Sequence, residues 1–323
     1  MKKKIYLVIV ILFVFTGLWW IKGKYFSHIK LQKINKYGFK ANYFKKGNDR
    51  NKTTVIIIGG GPFGDFWGSE FAGAGHIGLS LPYHRLDGLP EKIEEIPLEY
   101  FEKAINWLIS QPEVNPDKIL VMGGSVNAEL ALLLASVYPN KISGVIAYCP
   151  SSVVWSNTVY PWSSDEVKPK WTLKGQAIPY LAMEKIKGND TDKIETLSYW
   201  NKGLDDVAQV EQAAIMVEKI NGPILLLTPI DDKVWPSLRM SEMIEKRLRE
   251  NNFRYRVENV KYKDAGHTIT AQYNKSITTQ KGELWIDGKA YEFEYGGSPS
   301  GILLAQGDSR KRVMDYVSEL EGN

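Results

Sequence analysis

The chain has 323 residues, 44% hydrophobic and 24% charged, which suits a folded globular protein and excludes a disordered or collagen-like one. Its formal net charge of +4 is exceeded by Lys2, Lys3, Lys4, Lys22 and Lys24 alone, so the rest of the chain has no basic excess to attract nucleic acid. Cys149 is the single cysteine, which excludes an intrachain disulfide and any multi-cysteine metal site.

The first predicted element is an apolar run at residues 5–21, broken only by Thr16 and Gly17 and closed by Trp19 and Trp20. Flanking lysines and an interfacial Trp pair predict an uncleaved membrane anchor within residues 1–25, with the lysine cluster cytoplasmic and the remaining chain extracytoplasmic. A cleaved secretory signal is the alternative, and the run lacks the small-x-small site such cleavage needs. Residues 26–37 read as a juxtamembrane linker or short helix and residues 39–46 as an edge strand, so 26–52 precede the main domain.

From residue 53 onward, short β-branched and aliphatic runs alternate with helical patterns. Strands are predicted at 53–58, 77–81, 119–122, 145–148, 224–228 and 255–260. Helices are predicted at 97–110, with Leu98, Phe101, Ile105 and Leu108 on one face, at 128–137, at 238–249 and at 310–320. Apolar strands separated by helices imply an α/β fold, a mostly parallel sheet with helices on both faces, over residues 53–323. Residues 156–221 interrupt that rhythm with Trp, Tyr, Pro and Lys, and read as an inserted cap. Its aromatic residues Trp155, Tyr160, Trp162, Trp171 and Tyr180 are candidates for an apolar pocket.

Chemistry-bearing residues fall at the ends of these strands. Ser125 stands between the strand at 119–122 and the helix at 128–137, in Met122-Gly-Gly-Ser-Val-Asn-Ala. A strand–turn–helix of this kind exposes a nucleophilic hydroxyl at a helix N-terminus. Gly123 fits the usual Gly-x-Ser-x-Gly signature, whereas Asn127 replaces its last glycine. Of the histidines at 28, 76, 84 and 267, only His267 follows a late strand, in Asp264-Ala-Gly-His. His76 and His84 read as structural or pocket-lining. The strand at 224–228 runs into Asp231 and Asp232, and Asp232, four residues before Pro236, is preferred as the acid with Asp231 in reserve. Order and residue types match a Ser–Asp–His triad for acyl transfer. The backbone N–H of Val126 and that of Gly61 or Phe63, in Gly59-Gly-Gly-Pro-Phe-Gly-Asp, are the candidate oxyanion donors. That glycine run lacks the Lys-Ser/Thr ending of a phosphate loop. No metal or organic cofactor is needed.

Several of these stretches resemble the C-terminal catalytic domain of the acyl-CoA thioesterase and bile-acid-CoA:amino-acid N-acyltransferase family. The resemblance runs through residues 88–104, Gly124-Ser125, Ala128-Glu129-Leu130, Pro150-Ser-Ser-Val-Val-Trp, Asp231-Asp-Lys-Val-Trp-Pro-Ser, Ala265-Gly-His and Gly296-Gly297, across about 53–320. It implies an α/β-hydrolase fold and a nucleophile–Asp–His triad, here Ser125, Asp232 and His267. Family members use serine or cysteine, and serine favours hydrolysis over transfer to an amine. The family's N-terminal β-sandwich domain is not expected here, which favours acyl esters or thioesters in general over CoA thioesters in particular. The resulting expectation is a serine hydrolase acting through an acyl-enzyme on a small-molecule acyl ester or thioester. The alternatives are an acyltransferase with an amine or alcohol acceptor, and a non-catalytic hydrolase-fold binding protein.

Overall fold

The computed structural model describes residues 28–157, 163–270 and 278–322. The predicted anchor lies outside those residues, and among the described ones no helix is long and apolar enough to cross a membrane. In chain order the strands are β1 (Ile29–Lys36), β2 (Phe39–Lys46), β3 (Lys52–Ile58), β4 (Ile77–Leu81), β5 (Ile96–Pro97), β6 (Val114–Gly124), β7 (Gly144–Tyr148), β8 (Trp171–Leu173), β9 (Gln176–Ala177), β10 (Ile224–Pro229), β11 (Val257–Tyr262), β12 (Lys281–Ile286) and β13 (Lys289–Glu294). The helices are α1 (Gly61–Gly73), α2 (Glu99–Ile109), α3 (Val126–Val137), α4 (Thr196–Gly203), α5 (Val207–Ala213), α6 (Ser237–Glu250) and α7 (Pro299–Gly322).

Eight strands form one sheet in the order β1-β2-β4-β3-β6-β7-β10-β11, parallel from β4 to β11. β4, β7 and β10 are buried at every position, so they read in sequence as unbroken apolar runs rather than alternating ones. Alternate residues of β3 serve opposite faces. Ile56 and Ile58 pack with α2 and α3, while Val55 and Ile57 pack with Trp67 and Phe71 of α1 and Val313 and Val317 of α7. The chain leaves β3 for β4 on one side and returns to β6 on the other. The carboxyl ends of β3 and β6 therefore flank the switch point where open α/β sheets place their sites.

Four predicted elements differ. Residues 26–37 were expected as linker or helix. Ile29–Lys36 is instead the edge strand, paired antiparallel with β2 through the turn Tyr37-Gly38, both at positive φ. β2 is accordingly an inner strand, not the edge. The last strand of the sheet lies at Val257–Tyr262, two residues beyond the predicted span, and the final helix begins at Pro299 rather than 310. α1 is an addition. Its glycines 61, 64, 68 and 73 disfavour a helix by propensity, but Gly64 and Gly68 let it lie close against the sheet. A Cβ on Gly78 of β4 would stand 2.4 Å from the Gly68 Cα, so side chains at this crossing would push α1 off β4. The β12–β13 hairpin is also an addition, turning at Asp287-Gly288.

Between β7 and β10 the described residues carry β8 and β9, which join β5 in a small three-stranded sheet, together with α4 and α5. Tyr160 and Trp162 lie outside the described residues.

Candidate active site

Ser125 occupies the sharp corner between β6 and α3 with φ 58° and ψ −125°, a strained conformation for a residue with a side chain. Three backbone hydrogen bonds hold it there. Its N–H donates to the Tyr148 carbonyl at 2.9 Å, and its carbonyl accepts from Ala128 and Glu129 at 2.8 and 3.1 Å. The hydroxyl makes no cap to its own helix, as an ordinary Ser N-cap would. It instead lies 3.0 Å from His267 Nε2.

His267 opens a short 3-10 turn after β11, and its N–H donates to the Tyr295 carbonyl at 2.9 Å. Its Nδ1 lies 2.8 Å from Asp232 Oδ2. An ionised carboxylate only accepts, so this contact fixes the proton on Nδ1 and leaves Nε2 to accept from the Ser125 hydroxyl. Asp232 is buried, and its oxygens are further held by the N–H groups of Val234 and Trp235 at 2.9 and 3.3 Å and by the Ser237 hydroxyl at 2.6 Å.

The reserve acid Asp231 is placed elsewhere. It pairs with Lys233 Nζ at 2.8 Å and accepts from the Gly297 N–H at 2.9 Å. Partial burial works against its ionisation, but Lys233 and the Gly297 N–H hold its carboxyl below the usual range. Gly296 and Gly297 bridge the two loops, pairing with Asp232 and Ala265. A Cβ on Gly296 would fall 1.8 Å from the Asp231 carbonyl oxygen, which is why glycine stands there.

Both candidate oxyanion segments begin helices. Val126 is the first residue of α3, and Gly61 and Phe63 lie in the first turn of α1, where N–H groups have no intrahelical acceptor. Gly59, Gly60 and Gly61 all have positive φ. The run reaches the Ser125 corner directly, since a Cβ on Gly59 would stand 2.5 Å from Asn127 Nδ2. Asn127, at the position of the usual glycine, fits without disturbing the corner. Its Oδ1 accepts from the Tyr83 hydroxyl at 2.7 Å, a phenol that burial keeps protonated. Gly123 leaves no such latitude, because a Cβ there would lie 2.1 Å from the Asn127 carbonyl oxygen. Gly123→Ala is therefore expected to destabilise the fold by about 1–3 kcal/mol, as overpacking does. A urea-denaturation midpoint equal to that of the parent would contradict this.

A cavity of about 220 Å³ opens at Ser125 and Val126. Ile93, Trp200, Val234 and Trp235 give it apolar walls, and His84 and Lys170 also line it. The Trp235 ring stands edge-on to His267 at 6.0 Å between centroids. Trp155 and Trp171, expected in the pocket, are fully buried instead. Trp155 packs behind Trp200 at 4.8 Å, and Trp171 meets Tyr83 and Phe101 edge-on. His84 lines the cavity, its imidazole pushed toward neutrality by burial and then by Arg85; His76 is buried beside Ser318 instead. Sequence reasoning missed Ser237, Trp200, Trp235 and Lys170. Trp235 and Ser237 had a visible signal, their place in the short stretch that follows Asp232.

Donor atoms of Cys149, Asp232 and His267 lie within 4.8 Å of one another. Burial, and then the nearby Asp232 charge, push the Cys149 thiol up, while Asp232 and His267 already share a hydrogen bond. This donor set fits a proton relay beside a protonated thiol better than a metal centre.

A family model described as BAAT / acyl-CoA thioester hydrolase C terminal matches residues 96–320. Human acyl-coenzyme A thioesterase 6 is 26% identical over 258 residues, covering 78% of this chain and 56% of that protein. The chain thus spans little more than half the length of the curated relatives it matches. Among solved structures, a Klebsiella pneumoniae protein assigned as a dienelactone hydrolase superposes with a TM-score of 0.53 at 12% identity, covering 90% of this chain and 99% of that one. An esterase of Pyrobaculum calidifontis gives 0.50 at 14% identity, covering 91% and 85%. These likenesses establish the α/β-hydrolase fold.

Proposed function

The chain belongs to the BAAT / acyl-CoA thioester hydrolase C-terminal family, and from that premise we propose that it is a serine hydrolase cleaving acyl esters or thioesters through an acyl-enzyme. The observation that carries the reading is the continuous relay from Ser125 Oγ through His267 to Asp232, at 3.0 and 2.8 Å. Ser125 Oγ attacks the acyl carbonyl carbon while its proton passes to His267 Nε2. Asp232 holds the imidazole in the receptive tautomer and stabilises the imidazolium that forms. The carbonyl oxygen, now an oxyanion, accepts from the Val126 N–H and from Gly61 or Phe63. Collapse breaks the bond to the leaving thiolate or alkoxide, which takes the proton from Nε2. Water, deprotonated by Nε2, then attacks the acyl-enzyme; its proton returns to Ser125 Oγ as the carboxylic acid departs.

The relatives named as acyl-coenzyme A thioesterases make the thioester the first substrate class to test. The lysine-flanked apolar run at 5–21 supports an anchored protein with residues 53–323 as an extracytoplasmic hydrolase domain and 156–221 as its cap. The full chain is expected to release thiol from short acyl thioesters and p-nitrophenol from short acyl esters. Folded protein that turns over neither class contradicts the proposal. Acylated amine or alcohol appearing in place of free acid, when acceptor is added, would identify a transferase instead.

A further inference from the structure

We propose that Lys170 is the specificity-determining residue of this pocket and takes a carboxylate at the far end of a short acyl group seated on Ser125. The inference rests on the hydrolase reading and adds the substrate class. Lys170 lines the cavity that Ser125 opens into, yet only 4% of its side chain is exposed. Its Nζ has one acceptor among the described residues, Glu129 Oε2 at 2.7 Å. Glu129 is fully buried and fully served. It also accepts from the Trp171 indole at 2.9 Å and from the Trp155 backbone N–H. The pair is thus unbalanced. The carboxylate has three donors, whereas an ammonium with three hydrogens has one acceptor, and leaving buried donors unsatisfied is costly. Burial raises the Glu129 carboxyl and lowers the Lys170 ammonium, and their mutual attraction opposes both shifts.

The placement of Glu129 and the size of the cavity suit a short ligand. Glu129 stands one turn of α3 beyond Ser125, about 6 Å along the helix axis. The cavity of about 220 Å³ at Ser125 is large enough for a short acyl chain. Between the two ends, Ile93, Trp200, Val234 and Trp235 offer a wall for methylenes. Other acids near Lys170 do not compete for it. Glu94 is engaged by Ser164 and Asn157, and Glu91 is exposed at the mouth. A short acyl chain ending in a carboxylate meets each of these conditions.

A merely structural pair, clamping β8 to α3, would change stability and leave substrate preference alone. The test compares the mono-p-nitrophenyl ester of adipic acid with p-nitrophenyl hexanoate on the full chain, each corrected for uncatalysed hydrolysis. The parent is expected to favour the adipate ester by about 100-fold in kcat/KM. In the Glu129→Gln/Lys170→Met double variant, which removes both charges together, that ratio is expected to fall to near unity. Monomethyl adipate should also inhibit hexanoate ester hydrolysis by the parent at least tenfold better than methyl hexanoate, a reading independent of how the variant folds. Equal rates for the two esters in the parent, or a preference that survives in the double variant, overturn the assignment while leaving the hydrolase reading intact. Turnover of neither ester overturns both.

Discussion

Ser125→Ala is expected to lower kcat for acyl ester or thioester hydrolysis by about 10⁶, close to 8 kcal/mol of transition-state stabilisation. The size follows from what alanine removes. No other hydroxyl contacts His267 Nε2 among the described residues, so no second nucleophile can inherit the relay. The variant keeps its scaffold. The Ser125 backbone bonds to Tyr148, Ala128 and Glu129 do not involve the hydroxyl, and alanine meets the same strain at φ 58°. Its thermal midpoint should therefore stay within a few degrees of the parent's, separating lost chemistry from lost fold. Because triad members act as a unit, adding His267→Ala to Ser125→Ala should cost little more than Ser125→Ala alone. Residual hydrolysis above the uncatalysed rate would then report the oxyanion donors and the pocket. A folded Ser125→Ala protein with more than a hundredth of parental activity would remove Ser125 from the mechanism.

The second large effect is expected at Asp232. Asp232→Asn preserves volume and most hydrogen bonds but can offer its NH₂ to His267 Nδ1, which then holds no proton and leaves Nε2 protonated. The imidazole is thereby fixed in the tautomer that cannot accept from Ser125, and kcat is expected to fall by about 10⁴. Asp231→Asn is the matched control. Asp231 serves Lys233 and the Gly297 N–H, so its loss should disturb the loop's stability and change kcat by less than about tenfold. The ratio of the two effects carries the information. Comparable losses from both substitutions would mean that the geometry at His267 is not what selects the acid.

The strand ends that carry this site were legible because parallel strands buried on both faces write themselves as unbroken apolar runs, as in Ile224–Pro229. The places of Ser125 and Asp232 followed from where those runs stop, and His267 from being the one histidine that follows them. Spacing to Pro236 favoured Asp232 over its neighbour, and it is the Asp232 carboxylate that meets His267 Nδ1, while Asp231 turns to Lys233 and the Gly297 N–H. α1 was hidden for a different reason. Four glycines argue against a helix by propensity, and only close contact with the sheet explains two of them, Gly64 against Ser80 and Gly68 against Phe44 and Gly78. The β12–β13 hairpin did carry a signal, Asp287-Gly288 between short alternating runs, but those runs lack the unbroken apolar character of the parallel strands. The pocket was the least visible part. Lys170 lies 41 positions from Glu129 in sequence, and no local pattern announces a contact made only by the tertiary fold. The aromatic residues expected in the pocket were chosen by composition, and Trp155 and Trp171 proved to be its supports rather than its surface.

The measurement that bears most directly on the account is covalent labelling of the folded full chain with a fluorophosphonate probe, followed by identification of the modified residue. One label per chain is expected, on Ser125, formed in the parent and absent from Ser125→Ala and His267→Ala. A folded parent that takes no label, or a label that persists in Ser125→Ala, would contradict it.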